Sequence, residues 1–245
     1  GLSIIDKLDT LVGFFLINEK PTSSKDPFAL RRSAIGLLRT IIENNLTVGL
    51  RDLIDYLIKF YTEQGVKDVN KNTHLELINF FRDRMKNILK EKRVRPDIIE
   101  ASLSSHTNDN FLELYKKTLV MNKFISKDLG KNAVSTYKRA YNIIDREKNI
   151  SKSGPDAVLF KQDEEKELFD KINDIRKAFT YKERKESYEN HLKLLSDAKL
   201  STDKFFDNVK VNDENNDIKN NRLELLQRLC STFNTFIDFS KLEGN

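Results

Sequence analysis

The residues best suited to chemistry are basic and polar side chains that recur at helical spacing near the middle of the chain. Over residues 129–146 a helical projection separates apolar from polar side chains. An arc of about 100° is free of acids and holds Lys131, Ser135, Lys138, Arg139, Asn142 and Arg146. Cations bind phosphate oxygens and an amide can read a base edge, so this face predicts binding of single-stranded RNA.

A second basic strip lies upstream, on a helix predicted to begin at about residue 73. It consists of Arg82, Arg84, Lys86, Lys90 and Arg93, and it could form a second wall of the same site. Among all these residues we expect Lys138 and Arg139 to contact phosphate and Asn142 to read a base. The alternative is that each residue belongs to an ordinary solvated helix face.

No residue pattern supports catalysis. The histidines His74, His106 and His191 are scattered, and Cys230 lies in an apolar stripe that is typical of a core. The adjacent pairs Phe80–Phe81 and Phe205–Phe206 could stack on bases, but such pairs in helices more often belong to a core. The sequence contains no phosphate-binding loop and no serine–histidine–aspartate arrangement, so we assign no catalytic or metal-binding residue.

Composition and charge indicate a globular helical protein with a basic middle. Of the 245 residues 33% are charged, and there are only eight glycines and four prolines. Residues 82–152 contain 17 Lys or Arg against 9 Asp or Glu, which suggests a surface that faces a polyanion. A single cysteine fits a reducing compartment, so we expect a cytoplasmic protein. No apolar run approaches the roughly 20 residues needed to cross a bilayer.

Apolar spacing is helical nearly throughout, which predicts an all-α helical bundle. Asp26–Pro27 is a start signal, and Thr73 with Glu76 and Thr180 with Glu183 form capping-box patterns. The chain begins at Gly1 without an initiator methionine, so we expect it to be part of a longer protein. Helices are expected over about residues 4–18, 27–44, 50–64, 73–93, 110–125, 129–146, 180–198 and 217–242, with a short one from Pro96.

Several motifs, in this order, resemble the β subunit of bacterial two-subunit glycyl-tRNA synthetases. The most distinctive is KPTSSKDPFALRR at residues 20–32. The others are DKLDTLVG (6–13), FRDRMK (81–86), YKRAYNII (137–144), FFDNVKV (205–211), NRLELL (221–226) and DFSKL (238–242). The family usually has glycine where this chain has Ser23, so either Ser23 tolerates a positive φ or the loop differs.

The resemblance implies a fold and a function. Residues 1–70 are expected to be the C-terminal helices of an HD-like domain, and residues 71–245 a DALR-type anticodon-binding domain. The implied partners are tRNA(Gly) and the α subunit, not DNA or a membrane. The implied function is to bind tRNA(Gly) through its anticodon region, as a non-catalytic segment of a ligase subunit. This segment is expected to hold no cofactor, because ATP and magnesium would be used on the α subunit.

Two alternatives remain open. A helical scaffold without RNA contact would use the basic residues only for solubility, and it predicts acids interspersed among them in space. An HD phosphohydrolase would need a cluster of His and Asp residues. Asp6 could match the last acidic position of such a cluster, but the other positions would lie upstream of Gly1. We therefore expect Asp6 to cap or to pack rather than to bind metal.

Overall fold

The computed structural model describes residues 2–22, 24–67, 69–105, 109–147, 150–151, 153–182 and 187–244. Throughout those residues the regular structure is helical, with no strand, so the all-α prediction is confirmed. Three positions used above, Ser23, His106 and Glu183, lie outside the described residues. The conformation expected at Ser23 and the capping pair of Thr180 with Glu183 are therefore not described.

The helices form two compact units. Unit 1 comprises Gly1–Ile99 and His106–Thr118, and unit 2 comprises Glu100–Ser105 and Leu119–Asn245. The helices are α1 (Leu2–Leu16), α2 (Leu30–Glu43), α3 (Leu50–Glu63), α4 (Thr73–Glu91), α5 (Pro96–Ser105), α6 (Phe111–Phe124), α7 (Asp128–Ile144), α8 (Asp163–Lys182), α9 (Tyr188–Ser196), α10 (Lys199–Asn208) and α11 (Asn216–Phe233), with short 3₁₀ turns at Ala157–Leu159 and Phe239–Lys241. The division between the units falls within α5 and α6, whereas the family domain boundary expected at about residue 70 stays a prediction.

The start of α2 shows capping without the expected helical proline. The Asp26 carboxylate accepts the backbone N–H groups of Leu30 and Arg31 at 2.8 and 3.1 Å, so the predicted cap is confirmed. Pro27, however, lies in a turn, and the helix begins at Leu30 after Ala29 adopts a left-handed φ of 53°. The carboxylate therefore reaches across the turn to the first free N–H groups of the helix.

The capping box predicted for α4 is wrong. Thr73 is already helical, and its hydroxyl donates to the Asn70 carbonyl at 2.7 Å. The Glu76 carboxylate accepts from the Asn70 amide at 2.7 Å and from Lys20 Nζ at 2.8 Å. Both side chains thus fasten the loop before α4, and Lys20 holds the pKa of Glu76 below its ordinary value.

In unit 2, α11 packs against both α7 and α8, and an ion cluster fixes α8 against α11. Arg222 Nε donates to Glu165 Oε1 at 2.8 Å, and the two side chains are only 3% and 0% exposed. The other Glu165 oxygen accepts the backbone N–H groups of Lys161 and Gln162, which caps α8. Arg222 Nη1 also contacts Asp213 at 2.8 Å. The buried charges are therefore paired and hydrogen-bonded.

Two helix predictions in unit 2 are wrong. One helix was expected from Thr180 to about residue 198, but α8 runs to Lys182 and α9 begins at Tyr188, capped by Ser187. The last helix was expected to reach about residue 242 but ends at Phe233. There Asn234 turns the chain, since its amide oxygen accepts the Phe239 backbone N–H at 3.0 Å.

Candidate nucleic-acid interface

The basic face predicted on α7 is turned to solvent, and the opposite face is buried. Ala133, Val134, Tyr137 and Ala140 are buried in unit 2, where α7 packs against α9, α10 and α11. The residues of the predicted face are exposed, apart from a half-buried Lys138: Lys131, Ser135, Lys138, Arg139, Asn142 and Arg146. The predicted division of this helix is therefore confirmed, and it leaves cations and an amide on the surface.

Tyr137 anchors the buried side of α7. Its ring stacks on Tyr141 at 5.5 Å and lies 5.9 and 5.6 Å from the rings of Phe233 and Phe239. The phenol oxygen accepts a hydrogen bond from the Asn234 amide at 3.3 Å. Burial is the main cause of the raised pKa of Tyr137. These contacts fix the rotation of α7 and so determine which residues face outward.

A glycine sets the start of α7 against the end of α6. A Cβ at Gly130 would lie 2.2 Å from the Phe124 carbonyl oxygen and 2.6 Å from Ile125 Cα. Both are backbone atoms that cannot rotate away, so only glycine allows this approach. The close corner brings Ile125 beside the basic face.

The α7 face lines a groove of about 640 Å³, which we call the α7 groove. The C-terminal residues Glu243 and Gly244 lie along it, and a Cβ at Gly244 would lie 3.0 Å from Lys138 Nζ. The face is therefore one wall of a concave site. The lining residues are Ile125, Lys131, Val134, Ser135, Lys138, Arg139, Asn142, Glu243 and Gly244.

Arg139 is held by α10 through three side chains. Its guanidinium carbon lies 4.4 Å from the ring centre of Phe206. Its Nη1 and Nη2 atoms lie 3.4 Å from Asp203 and 3.5 Å from Asp207. The Arg139 side chain remains 45% exposed. The face therefore meets two carboxylates from a neighbouring helix, in addition to Asp128, which begins α7 beside Lys131.

The other cations of the face differ in their surroundings. Lys131 lies 3.5 Å from Asp128 on the same helix, an exposed pair that holds it only weakly. Among the described residues, no carboxylate lies within 4.0 Å of Lys138 Nζ or of the Arg146 guanidinium. Of the two lysines of the α7 groove, Lys131 has a carboxylate within 4.0 Å of its Nζ, and Lys138 has none among the described residues.

The candidate strip on α4 belongs to unit 1 and has a different character. The Arg84 guanidinium lies 4.1 Å from the ring centre of Phe80, and its side chain is only 14% exposed. This burial lowers the pKa of Arg84. Arg82 and Lys86 are half-buried, whereas Lys90 is exposed in the last turn of the helix. The geometry places Arg84 in packing contacts rather than at an open surface.

Arg93 also belongs to that strip, but it lies just beyond the end of α4. It has a left-handed φ of 57°, and its backbone N–H donates to the Lys90 carbonyl at 2.9 Å. Such a residue closes the helix and satisfies a free carbonyl. Its side chain is exposed. The five candidates of the strip therefore do not form one continuous open face.

His74 and Cys230 are engaged in pairing or packing, whereas Asp6 is not. His74 Nδ1 lies 2.5 Å from Asp55. Asp6 is exposed and lies inside α1 rather than at its start, so the expectation that it caps or packs is wrong. Cys230 is buried, which raises the pKa of its thiol to about 12. In the described part of the chain, no three His, Cys, Asp or Glu residues are placed to hold a metal ion. The same residues include no helix long and apolar enough to span a membrane.

The sequence reasoning missed the contribution of α10 to this site. Phe205 is fully buried, as expected of a core residue, whereas Phe206 is half-buried and supports Arg139. Asp203, Phe206 and Asp207 share one side of α10, since they are three and four residues apart. That spacing indicated a shared helix face, but nothing in the sequence linked this face to Arg139, more than sixty positions away.

Comparisons with known proteins agree with the two-part organisation of the chain. Residues 1–104 match the family described as "Glycyl-tRNA synthetase beta subunit". Residues 133–241, which include most of α7 and all of α10, match the family described as "DALR anticodon binding domain". The fold and these matches define the class: an aminoacyl-tRNA synthetase polypeptide with an anticodon-binding domain of the DALR family.

Individual relatives narrow this class. Proteins from Rickettsia africae and Rickettsia conorii, each named glycine–tRNA ligase beta subunit, are 38% identical over 98% of this chain and 34% of their own length. A protein of the same name from Rhodospirillum centenum is 36% identical over 100% of this chain and 34% of its own. The chain belongs to the glycyl-tRNA synthetase β subunit family, and it spans about a third of the length of these relatives.

Proposed function

We propose that this chain binds tRNA(Gly) through the anticodon region, with the α7 groove as the contact surface. The observation that carries the proposal is the position of this groove. A concave surface lined by Lys131, Lys138, Arg139 and Asn142 lies in the unit whose residues 133–241 match an anticodon-binding domain. An anticodon loop offers phosphates and unpaired bases, which such side chains can bind.

The proposal assigns different tasks to the groove residues. Lys138 and Lys131 contact phosphates, because their ammonium groups are compact charges at a surface. Asn142 reads a base edge, since its amide both donates and accepts hydrogen bonds. Arg146 adds positive charge beyond the C-terminal end of α7. Lys90 and Arg93 on unit 1 are secondary candidates, and Arg82, Arg84 and Lys86 are weaker ones because they are partly buried.

The proposal also places the chemistry elsewhere. The chain is a non-catalytic segment of a ligase subunit, and it supports glycine attachment by the α subunit. Activation of glycine with ATP and Mg²⁺ takes place on that α subunit, so this segment holds no cofactor. What supports this is the family membership, together with the absence of a catalytic pattern in the sequence.

A second candidate function has one observation in its favour. The scaffold alternative predicts acids among the bases in space, and Asp203 and Asp207 do lie beside Arg139. On this alternative the basic residues maintain solubility and helix packing without touching RNA. The two functions differ in what happens when Lys138 reverses its charge, because no carboxylate of the described residues lies within 4.0 Å of Lys138 Nζ.

The test is the affinity of the 245-residue chain for the anticodon stem-loop of tRNA(Gly), measured across a salt series. A second stem-loop has its anticodon cytosines replaced. We expect binding that weakens with salt and with cytosine replacement. We expect Lys138→Glu to weaken binding about tenfold, equivalent to roughly 1.4 kcal/mol.

The matched control is Lys166→Glu, which makes the same charge change at an exposed position of α8 outside the groove. It should leave the affinity within about twofold, since single surface charges distant from the RNA are largely screened. Equal losses in both variants would indicate a nonspecific charge effect. No binding by the unaltered chain would favour the scaffold function.

A further inference from the structure

We propose that Arg139 is a stacking platform for one unpaired base of the RNA, rather than a phosphate contact. This inference rests on the proposed function of the α7 groove and assigns a specific task to one of its residues. It reverses the expectation drawn from the sequence, where charge and spacing alone made Arg139 a phosphate ligand. The reasons lie in the three residues of α10 that surround it.

The first reason is that the edge of the guanidinium is already occupied. A guanidinium binds phosphate through parallel N–H bonds from its edge. In this structure Nη1 faces Asp203 at 3.4 Å and Nη2 faces Asp207 at 3.5 Å. A phosphate that approached this edge would meet two carboxylates, and like charges at such distances repel. The pair of acids therefore disfavours the phosphate role while leaving the planar group in place.

The second reason is that an aromatic ring supports the guanidinium. The guanidinium carbon of Arg139 lies 4.4 Å from the centre of the Phe206 ring, and Phe206 makes an edge contact with the buried ring of Phe205 at 5.4 Å. The two acids and the ring together hold the guanidinium in one orientation. The Arg139 side chain nevertheless remains 45% exposed, which leaves surface for a base to contact.

The third reason is the position of that platform. Arg139 lines the α7 groove, between the exposed Ser135 one turn before it and the exposed Asn142 one turn after it. Unpaired bases stack on guanidinium planes as well as on aromatic rings. A base stacked on Arg139 would bring its edge within reach of the Asn142 amide, while Lys138 met the adjoining phosphate. Stacking and edge recognition would then act on the same nucleotide.

The experiment compares Arg139→Ala, Arg139→Lys and Lys138→Ala in the 245-residue chain. The RNA probes are the tRNA(Gly) anticodon stem-loop and a set of versions in which one loop nucleotide at a time is abasic. We expect Arg139→Ala to weaken binding to the intact loop about tenfold, a typical loss for one base stack. One abasic position should weaken binding by the unaltered chain similarly and add no further loss in Arg139→Ala.

Salt dependence separates the two roles. Arg139→Lys keeps the charge that balances Asp203 and Asp207, so it should leave the slope of log K against log salt unchanged, whereas Lys138→Ala should reduce its magnitude by about 0.7. Arg139→Lys should still weaken binding as Arg139→Ala does, because a lysine lacks the planar group. Phe206→Leu, which removes the supporting ring but keeps an apolar side chain, should weaken binding in the same loop-dependent manner. Thermal melts monitored by circular dichroism show whether each variant remains folded.

Two results would overturn the inference alone. If Arg139→Ala weakens binding to every abasic probe equally while Arg139→Lys binds like the unaltered chain, Arg139 contacts phosphate. If Arg139→Ala has no effect while Lys138→Ala does, Arg139 serves only to pack α10 against α7. No binding by the unaltered chain would instead overturn the proposed function, and this inference with it.

Discussion

One ion pair of unit 2 and one ion pair of unit 1 have the same length but differ in burial. Unit 2 buries an ion pair, Arg222 with Glu165, between two of its helices. In unit 1 the pair Arg39–Glu91, also at 2.8 Å, leaves its side chains 50% and 61% exposed. A buried charge must find its partner, and this requirement fixes the register of α8 against α11. The α7 groove therefore belongs to the unit in which the buried pair of Arg222 and Glu165 fixes the packing of two helices.

The helices that carry the basic residues, α4 in unit 1 and α7 in unit 2, also differ in how their arginines are placed. On α4, Arg84 turns inward against Phe80, and its charge is partly withdrawn from solvent. On α7, the cations border a concave surface, and Arg139 is held by residues of another helix. Similar spacing in the sequence thus produces two different surfaces. The difference lies in what each arginine contacts: Arg84 packs on a ring of its own helix, whereas Arg139 contacts side chains of α10.

The largest effect should come from Glu165→Gln. The variant keeps the shape but leaves Arg222 buried with only Asp213 as an acidic partner, and an amide N–H₂ replaces one acceptor oxygen. We expect the free energy of unfolding to fall by roughly 3 kcal/mol, the low end for breaking a buried pair because Asp213 remains. Urea denaturation followed by far-ultraviolet circular dichroism measures this, since the chain has no tryptophan.

The matched variant in unit 1 is Glu91→Gln. It removes the acid of an exposed pair, so the loss should stay below about 1 kcal/mol. Similar losses in the two variants would break the contrast between the units. They would mean that the Arg222 cluster contributes no more than a surface pair.

The next effect concerns the corner before α7. Gly130→Ala introduces a Cβ that cannot coexist with the Phe124 carbonyl and Ile125 Cα, so α7 must shift. We expect a loss of about 2 kcal/mol, and the melting temperature should fall by several degrees. Gly244→Ala is the control, because its Cβ meets only the flexible end of Lys138. A Gly130→Ala protein as stable as the parent would show that the α6–α7 corner relaxes freely.

The smallest effect is a pH dependence in unit 1. The pKa of Glu76 is lowered mainly by its hydrogen bond to Lys20. The stability from this bond is therefore complete above the ordinary pKa of 4.5 and is lost as pH falls through the lower folded value. Glu76→Gln should lose less stability than the parent between neutral and acidic pH. Parallel stability curves for the two proteins would contradict this role of Glu76.

Local features were predictable from the sequence because they depend on near neighbours. The division of α7 into a buried and an exposed side follows from helical spacing, and the Asp26 cap follows from its place before a helix. The Thr73 prediction failed because Asn70 and Lys20 compete for the same side chains. A local sequence pattern indicates which hydrogen bonds are possible, but not which of the competing bonds forms.

The rest of the candidate site depends on tertiary packing. Arg139 meets Asp203, Phe206 and Asp207 only because α10 folds back beside α7. The end of α11 depends on Asn234 meeting Tyr137 and Phe239, again through contacts between distant or turning segments. A helical projection contains neither kind of information. The sequence therefore predicted which side chains are exposed, but not which of them pair with side chains of another helix.

Because Cys230 is buried, the rate at which a thiol reagent labels it can measure local opening of the protein. This is the single cysteine, it lies in unit 2, and burial raises the pKa of its thiol to about 12. A thiol reagent at neutral pH can react with it only while unit 2 is transiently open. The labelling rate therefore reports how often unit 2 opens, independently of unit 1. RNA bound in the α7 groove should lower this rate.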